Sequence, residues 1–134
     1  EGQIHAAFAL GSVHFWGKGV AIDYPRAMAA YKIAAEAGDA LSQYQLGIMY
    51  LKGLGVAVDY KQVRAWLEKA AAQDDGPAVG QLGVMYSDGM GVTPSWRRAR
   101  EHYERAIELG SSKARESFLK VTDVDLNDRI ISKW

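Results

Sequence analysis

The chain has 134 residues, almost half of them hydrophobic (49%), with 16 Lys plus Arg against 16 Asp plus Glu and no cysteine. That apolar content excludes a disordered chain, the size fits one small domain, and the balanced charge argues against a nucleic-acid or anionic-membrane surface as the main business. The missing thiols exclude disulfides, zinc–thiolate sites and a cysteine nucleophile.

No apolar segment approaches membrane-spanning length and no signal peptide is visible, so membrane insertion is not expected and a soluble, cytoplasmic setting is favoured over others. The chain opens at Glu1 without a methionine, inside what the register described next marks as a loop. It is therefore expected to be an excerpt or a processed product.

Laid against itself at an offset of 36 residues, the chain brings Gly11, Gly47 and Gly83 into register without a gap, together with Gly17, Gly53 and Gly89, Gly19, Gly55 and Gly91, and Val20, Val56 and Val92. A period of that length is the mark of stacked repeats. The same offset aligns Leu10, Leu46 and Leu82, then His14, Tyr50 and Tyr86, then Asp23, Asp59 and Ser95. Apolar residues recur at three and four, not in alternation, so the elements are helices. In chain order they fall near 5–16, 24–37, 41–52, 60–73, 77–88, 95–109 and 113–121, with an eighth possible in the tail.

The loops "GKGV", "GLGV" and "GMGV" pose a phosphate question, because paired glycines before a helix let backbone amides crowd an anion. A dinucleotide loop needs a strand ahead of it, and a helix stands there instead. The first glycine reads as a left-handed helix terminator, the second permits a tight turn and the valine plugs the loop against the core. Asp23, Asp59 and Ser95 then cap the next helix, with Pro25 and Pro94 near helix starts. In "RRAREHYERA" (97–106), acidic residues interleave at helical spacing, pairing Arg97 with Glu101 and Glu101 with Arg105 on a solvated face.

The stretch "ALSQYQLGIMYLKGLGVAVDYKQVRAWLEKAAAQ" closely resembles the Sel-one-like repeat, a relative of the tetratricopeptide repeat, and the resemblance covers roughly residues 3 to 118. It implies an all-α, right-handed superhelical solenoid of antiparallel helix pairs. The expected domain is 1–122, with repeats 3–38, 39–74, 75–110 and a partial fourth at 111–122, followed by a capping helix or tail at 123–134 in which Val124, Leu126, Ile130, Ile131 and Trp134 supply the apolar face. The resemblance further implies a non-catalytic scaffold that binds a protein or peptide. A disulfide-rich branch of the family is linked to cell-wall or β-lactam compounds, and this chain lacks the cysteines of that branch. His14 replaces the usual tyrosine, and Ala30 and His102 stand where Trp66 keeps the usual tryptophan.

Read without the family, the residues give no catalytic set. The histidines are His5, His14 and His102; His14 and His102 follow structural registers, and none sits four residues from another, so no helical two-histidine metal site arises. No cofactor, metal or nucleic-acid partner is expected. On the first helix, Ala6, Leu10, Val13 and His14 share the arc that Leu46, Met49 and Tyr50 occupy in the next repeat, and these are expected core positions. The opposite arc holds His5, Phe8, Ser12, Phe15 and Trp16, continued by Leu41, Tyr44, Ile48 and Leu51, and is the candidate partner-binding groove. In the third repeat that arc is smaller and more polar. Packing between repeats is the structural alternative for Phe8 and Tyr44, and a homodimer through the same surface is the functional one.

Overall fold

In the computed structural model, which describes residues 2–122, the helices end where the glycines stand. The first pair is α1 (Gly2–Trp16) and α2 (Tyr24–Glu36), the second α3 (Ala40–Lys52) and α4 (Tyr60–Ala71), the third α5 (Gly76–Asp88) and α6 (Trp96–Glu108), and α7 (Ser112–Thr122) follows. No strand occurs among the described residues, and the fold is the all-α arrangement of helix pairs expected. The tail at 123–134 lies outside the described residues.

Gly53 shows why the chain turns where it does. Its φ of 68° and ψ of 39° are left-handed, a region costly for any residue with a Cβ, and its N–H donates to the Met49 carbonyl. Leu54 N–H reaches that same carbonyl at 2.9 Å. The amides that an anion would need are thus engaged in closing the helix, and Gly17 and Gly89 repeat the geometry with φ of 71° each. These loops are turns. Asp23, Asp59 and Ser95 accept backbone N–H bonds at the starts of α2, α4 and α6, as expected, and Asp39 and Asp75 do the same for α3 and α5. The valines differ from expectation: Val20 is 46% exposed, whereas Val92 packs against the Tyr86–Tyr103 cluster.

Pairing is antiparallel within α1 and α2, since Phe15 meets Tyr24 at 5.5 Å while Phe8 meets Tyr31 at 5.7 Å. The Asp23 N–H bond to the His14 carbonyl ties the two ends together, and Asp59 to Tyr50 and Ser95 to Tyr86 repeat it. A glycine lets each pair close. A Cβ on Gly11 would stand 2.7 Å from the Tyr31 ring, one on Gly47 2.8 Å from Leu67, and one on Gly83 3.1 Å from the Tyr103 ring.

The chain divides into two compact units, Glu1–Gln73 and Asp74–Trp134. In the first, α2 lies against α3 as well as α1, and Ala27, Tyr31 and Ala35 form a core with Leu46 and Met49, flanked by Phe8, Phe15 and Trp66. Gln43, nearly fully buried, donates to the Ala35 carbonyl at 3.1 Å and accepts from Gln73 at 3.0 Å, so its amide is satisfied on both sides. In the second, Tyr86, Ala99 and Tyr103 form the core, and Phe118 of α7 meets the Tyr103 ring at 5.7 Å. The exposed face of α6 carries its ion pairs as Arg100 with Glu104 at 3.1 Å and Arg105 with Asp74, in place of the Arg97–Glu101 and Glu101–Arg105 pairs expected.

Gly11→Ala is expected to destabilise the chain by about 1–2 kcal/mol, overpacking against a rigid buried ring outweighing the better helix propensity of alanine. Gly2→Ala, with nothing within 4 Å of the added carbon, is the control and should leave the melting temperature unchanged or slightly raised. Equal melts for the two variants would show that the close approach carries no energy. Tyr103 gives a second test. Burial and then the Asp88 carboxylate push its phenol up from 10.0 to about 12, against the pull of the Ser87 hydrogen bond. The folded state therefore disfavours the phenolate, so this contribution is full below pH 10 and is lost as pH rises through about 12. Tyr103→Phe should flatten the fall of unfolding free energy over that window in denaturant titrations, and an unchanged slope would assign it to other groups.

Candidate interaction surface

Tyr31 is the residue around which α1 arranges its aromatic face. Its side chain is fully buried, with burial raising its pKa, and its hydroxyl lies 3.1 Å from the Ser12 Oγ. Phe8 and Phe15 pack on the same ring at 5.7 and 6.2 Å, and Phe15 also meets Trp16 edge-on at 4.8 Å. Phe8, Ser12 and Phe15 are thus half-buried in the helix pair. Trp16 stands 61% exposed at the end of α1, His5 is exposed, and Leu41 at the start of α3 is 55% exposed. Tyr44 and Leu51 are half-buried and Ile48 is buried.

The arc taken as core divides between the two repeats. Leu46 and Met49 are fully buried because α2 covers that side of α3. Leu10, in the same register on α1, is 52% exposed, Ala6 is exposed and Val13 half-buried, for no described helix packs on that side of α1. The expected core position at Leu10 is corrected accordingly. Beside it opens a cavity of about 330 Å³ lined by Ala7, Leu10 and His14 of α1 and by Ala29, Ala30 and Ile33 of α2, with Arg26. Sequence reasoning missed this cavity, although the register held its signal: Ala30 stands where the next two repeats have Trp66 and His102.

The histidines and acids do not assemble a reactive centre. His14 Nδ1 is buried without a hydrogen-bond partner, His102 Nδ1 lies 2.8 Å from the Arg98 carbonyl, and the His102 ring packs on Tyr86 at 5.2 Å. Among the described residues no three His, Asp or Glu side chains are grouped to hold a metal ion, and no helix is long and apolar enough to cross a membrane. Asp75, a helix cap, has its carboxyl raised by burial against the pull of the Ala78 N–H bond.

The Sel1 repeat family model matches the chain three times, at residues 4–39, 40–75 and 77–111. A search of curated proteins gives no match. Among solved structures, c5321, a protective antigen of uropathogenic Escherichia coli with an SLR fold, is 35% identical with a TM-score of 0.82 over 88% of this chain; the chain spans only 26% of the length of c5321. A Sel1 repeat protein from Oxalobacter formigenes is 33% identical, TM-score 0.75, with 85% of this chain and 86% of that one covered. Cysteine-rich protein B of Helicobacter pylori shares the fold at 22% identity and TM-score 0.69, over 84% of this chain and 88% of its own. With three consecutive repeats matched and the helix pairs in place, the chain belongs to the Sel1 repeat family.

Proposed function

We propose that the chain is a non-catalytic scaffold that binds a protein segment through apolar surface on its first unit. Sel1 repeat proteins generally act as protein-interaction scaffolds and are generally non-enzymatic. The observation that carries the reading for this chain is the uneven placement of exposed large hydrophobic residues. Among the described residues, Leu10, Trp16, Val20, Ile22, Ile33, Leu41, Val58 and Tyr60 fall within Glu1–Gln73, and only Leu109 and Leu119 fall within Asp74–Trp134. A single aromatic side chain buries about 150–250 Å² on docking, so a few such residues together reach the size of a functional patch.

From the candidate groove, His5, Trp16 and Leu41 supply the accessible contacts, while Phe8, Ser12, Phe15, Tyr44, Ile48 and Leu51 support them from within or beside the helix packing. Trp16 is the anchor of choice, because exposed tryptophan is the side chain most often found to dominate a binding energy.

The double variant Trp16→Ser, Leu41→Ser is expected to change folding free energy by less than about 0.5 kcal/mol per site, both residues being exposed, and to weaken peptides selected by display against the native chain by at least about tenfold. Equal binding by the variant would remove the groove. A stable dimer in light scattering, dissociated by the same substitutions, would replace the partner segment with a second copy.

A further inference from the structure

The register of 36 gives the cavity beside α1 and α2 two internal comparisons. In the second pair the position of Ala30 is Trp66, which packs against the core containing Leu46. In the third it is His102, whose ring lies 5.2 Å from Tyr86 at an interplanar angle of 32°. The Arg98 guanidinium stands 5.7 Å from the same Tyr86 ring. Both pairs therefore carry an aromatic side chain from the second helix at this position, set beside the Leu46 register in one and the Tyr86 register in the other.

The first pair keeps the wall and omits the ring. Leu10 corresponds to Leu46, His14 to Tyr86 and Arg26 to Arg98, and all three line the cavity together with Ala30. Ala30 contributes a methyl group where an indole or imidazole stands elsewhere, and the space, about 330 Å³, is open. Its rim is apolar, with Leu10 52% and Ile33 62% exposed. His14 has no hydrogen bond at Nδ1, so packing alone sets its orientation.

We propose that this cavity is a docking site for an aromatic side chain, an indole in preference to an aliphatic group, carried on a partner protein segment. The incoming ring takes the position that Trp66 holds in its own pair, with its face toward His14 as His102 faces Tyr86, and with Leu10 and Ile33 along its edges. Ring-on-ring contact adds to simple burial, so a leucine side chain of similar reach binds less well, by about three- to tenfold. The inference rests on the reading of the chain as a segment-binding scaffold, and it adds a second, chemically defined contact on the first unit, separate from Trp16 and Leu41.

The test is a methyl-resolved NMR titration with N-acetyl-tryptophanamide, and N-acetyl-leucinamide as the comparison. The expected result is saturable shifts at Leu10, Ala29, Ala30 and Ile33, several-fold weaker for the leucine amide. Absent shifts, equal affinities, or shifts confined to the surroundings of Trp16 overturn the site. Ala30→Trp should supply the ring in cis, abolish the titration and leave the melting temperature unchanged or raised. If that variant fails to fold, Ile33→Asp, on an exposed position, decides: loss of the titration with an unchanged melt supports the site, and an unchanged titration overturns it. Concentration-dependent shifts of the same methyls in the protein alone assign the cavity to a second copy and overturn the partner segment. Display-selected peptides without aromatic residues, binding through Trp16 and Leu41 alone, overturn this site while leaving the scaffold reading intact. Tryptophan amide binding by a chain that selects no peptide overturns the partner segment instead.

Discussion

The contact on which each helix pair depends is the approach of a glycine on the first helix to a large side chain on the second. Gly11 faces Tyr31, Gly47 faces Leu67 and Gly83 faces Tyr103, at distances where a single added carbon has no room. Removing the Cβ brings the helix axes close enough for the second helix to bury a whole ring or isobutyl group against backbone. Because Tyr31 and Tyr103 are then fully enclosed, the aromatic side chains around them acquire a fixed wall to pack on, and the left-handed glycine turns at the helix ends place the partners in register. The cost is conformational. Glycine within a helix is disfavoured by roughly 0.5–1 kcal/mol relative to alanine, which the enclosed side chain offsets.

Features that depend on a few adjacent residues were legible in the sequence. Helix ends followed from Gly17, Gly53 and Gly89, and second-helix starts from Asp23, Asp59 and Ser95, since capping and left-handed termination involve atoms only a few residues apart. Which face of a helix is buried was only partly legible, because that depends on a second helix far along the chain. Leu10 and Leu46 share a local pattern, yet one is about half exposed and the other buried, and the difference is the presence of α2 against α3. The same cause moved Ile48 out of the expected groove: α3 has neighbours on two sides, so its arc opposite Leu46 is not free surface. Ion pairs on α6 were legible as a face and not as partners, since alternative i,i+4 pairings differ by only a few tenths of a kcal/mol.

The candidate site follows the same division. Phe8 and Phe15 looked like groove residues because they lie away from the Leu10 arc, but Tyr31 draws both into the packing of the pair and leaves Trp16 exposed at the end of α1. The cavity at Ala30 was written in the register as a missing ring, yet its meaning needed the neighbouring pairs in three dimensions. Trp66 and His102 had to be seen against their own walls before the absence of either side chain in the first pair became a volume.

In a repeat, positions shared by all copies serve the architecture, and the departures are where one copy can differ in role. Here the departures cluster. His14 for tyrosine and Ala30 for tryptophan fall in the same helix pair and line the same cavity, next to a leucine left half exposed. In the third pair the substitution of His102 for tryptophan is compensated within the pair, by stacking on Tyr86 and a bond to the Arg98 carbonyl. No side chain of the first pair fills the space that Ala30 leaves, although overpacking and cavity costs alike favour filling it in a chain that has only to fold. An apolar hollow of about 330 Å³ is therefore a stability cost concentrated on one unit, the same unit that carries most of the exposed large hydrophobic residues. Two departures from economical packing on one unit have a common resolution when an apolar partner completes the surface.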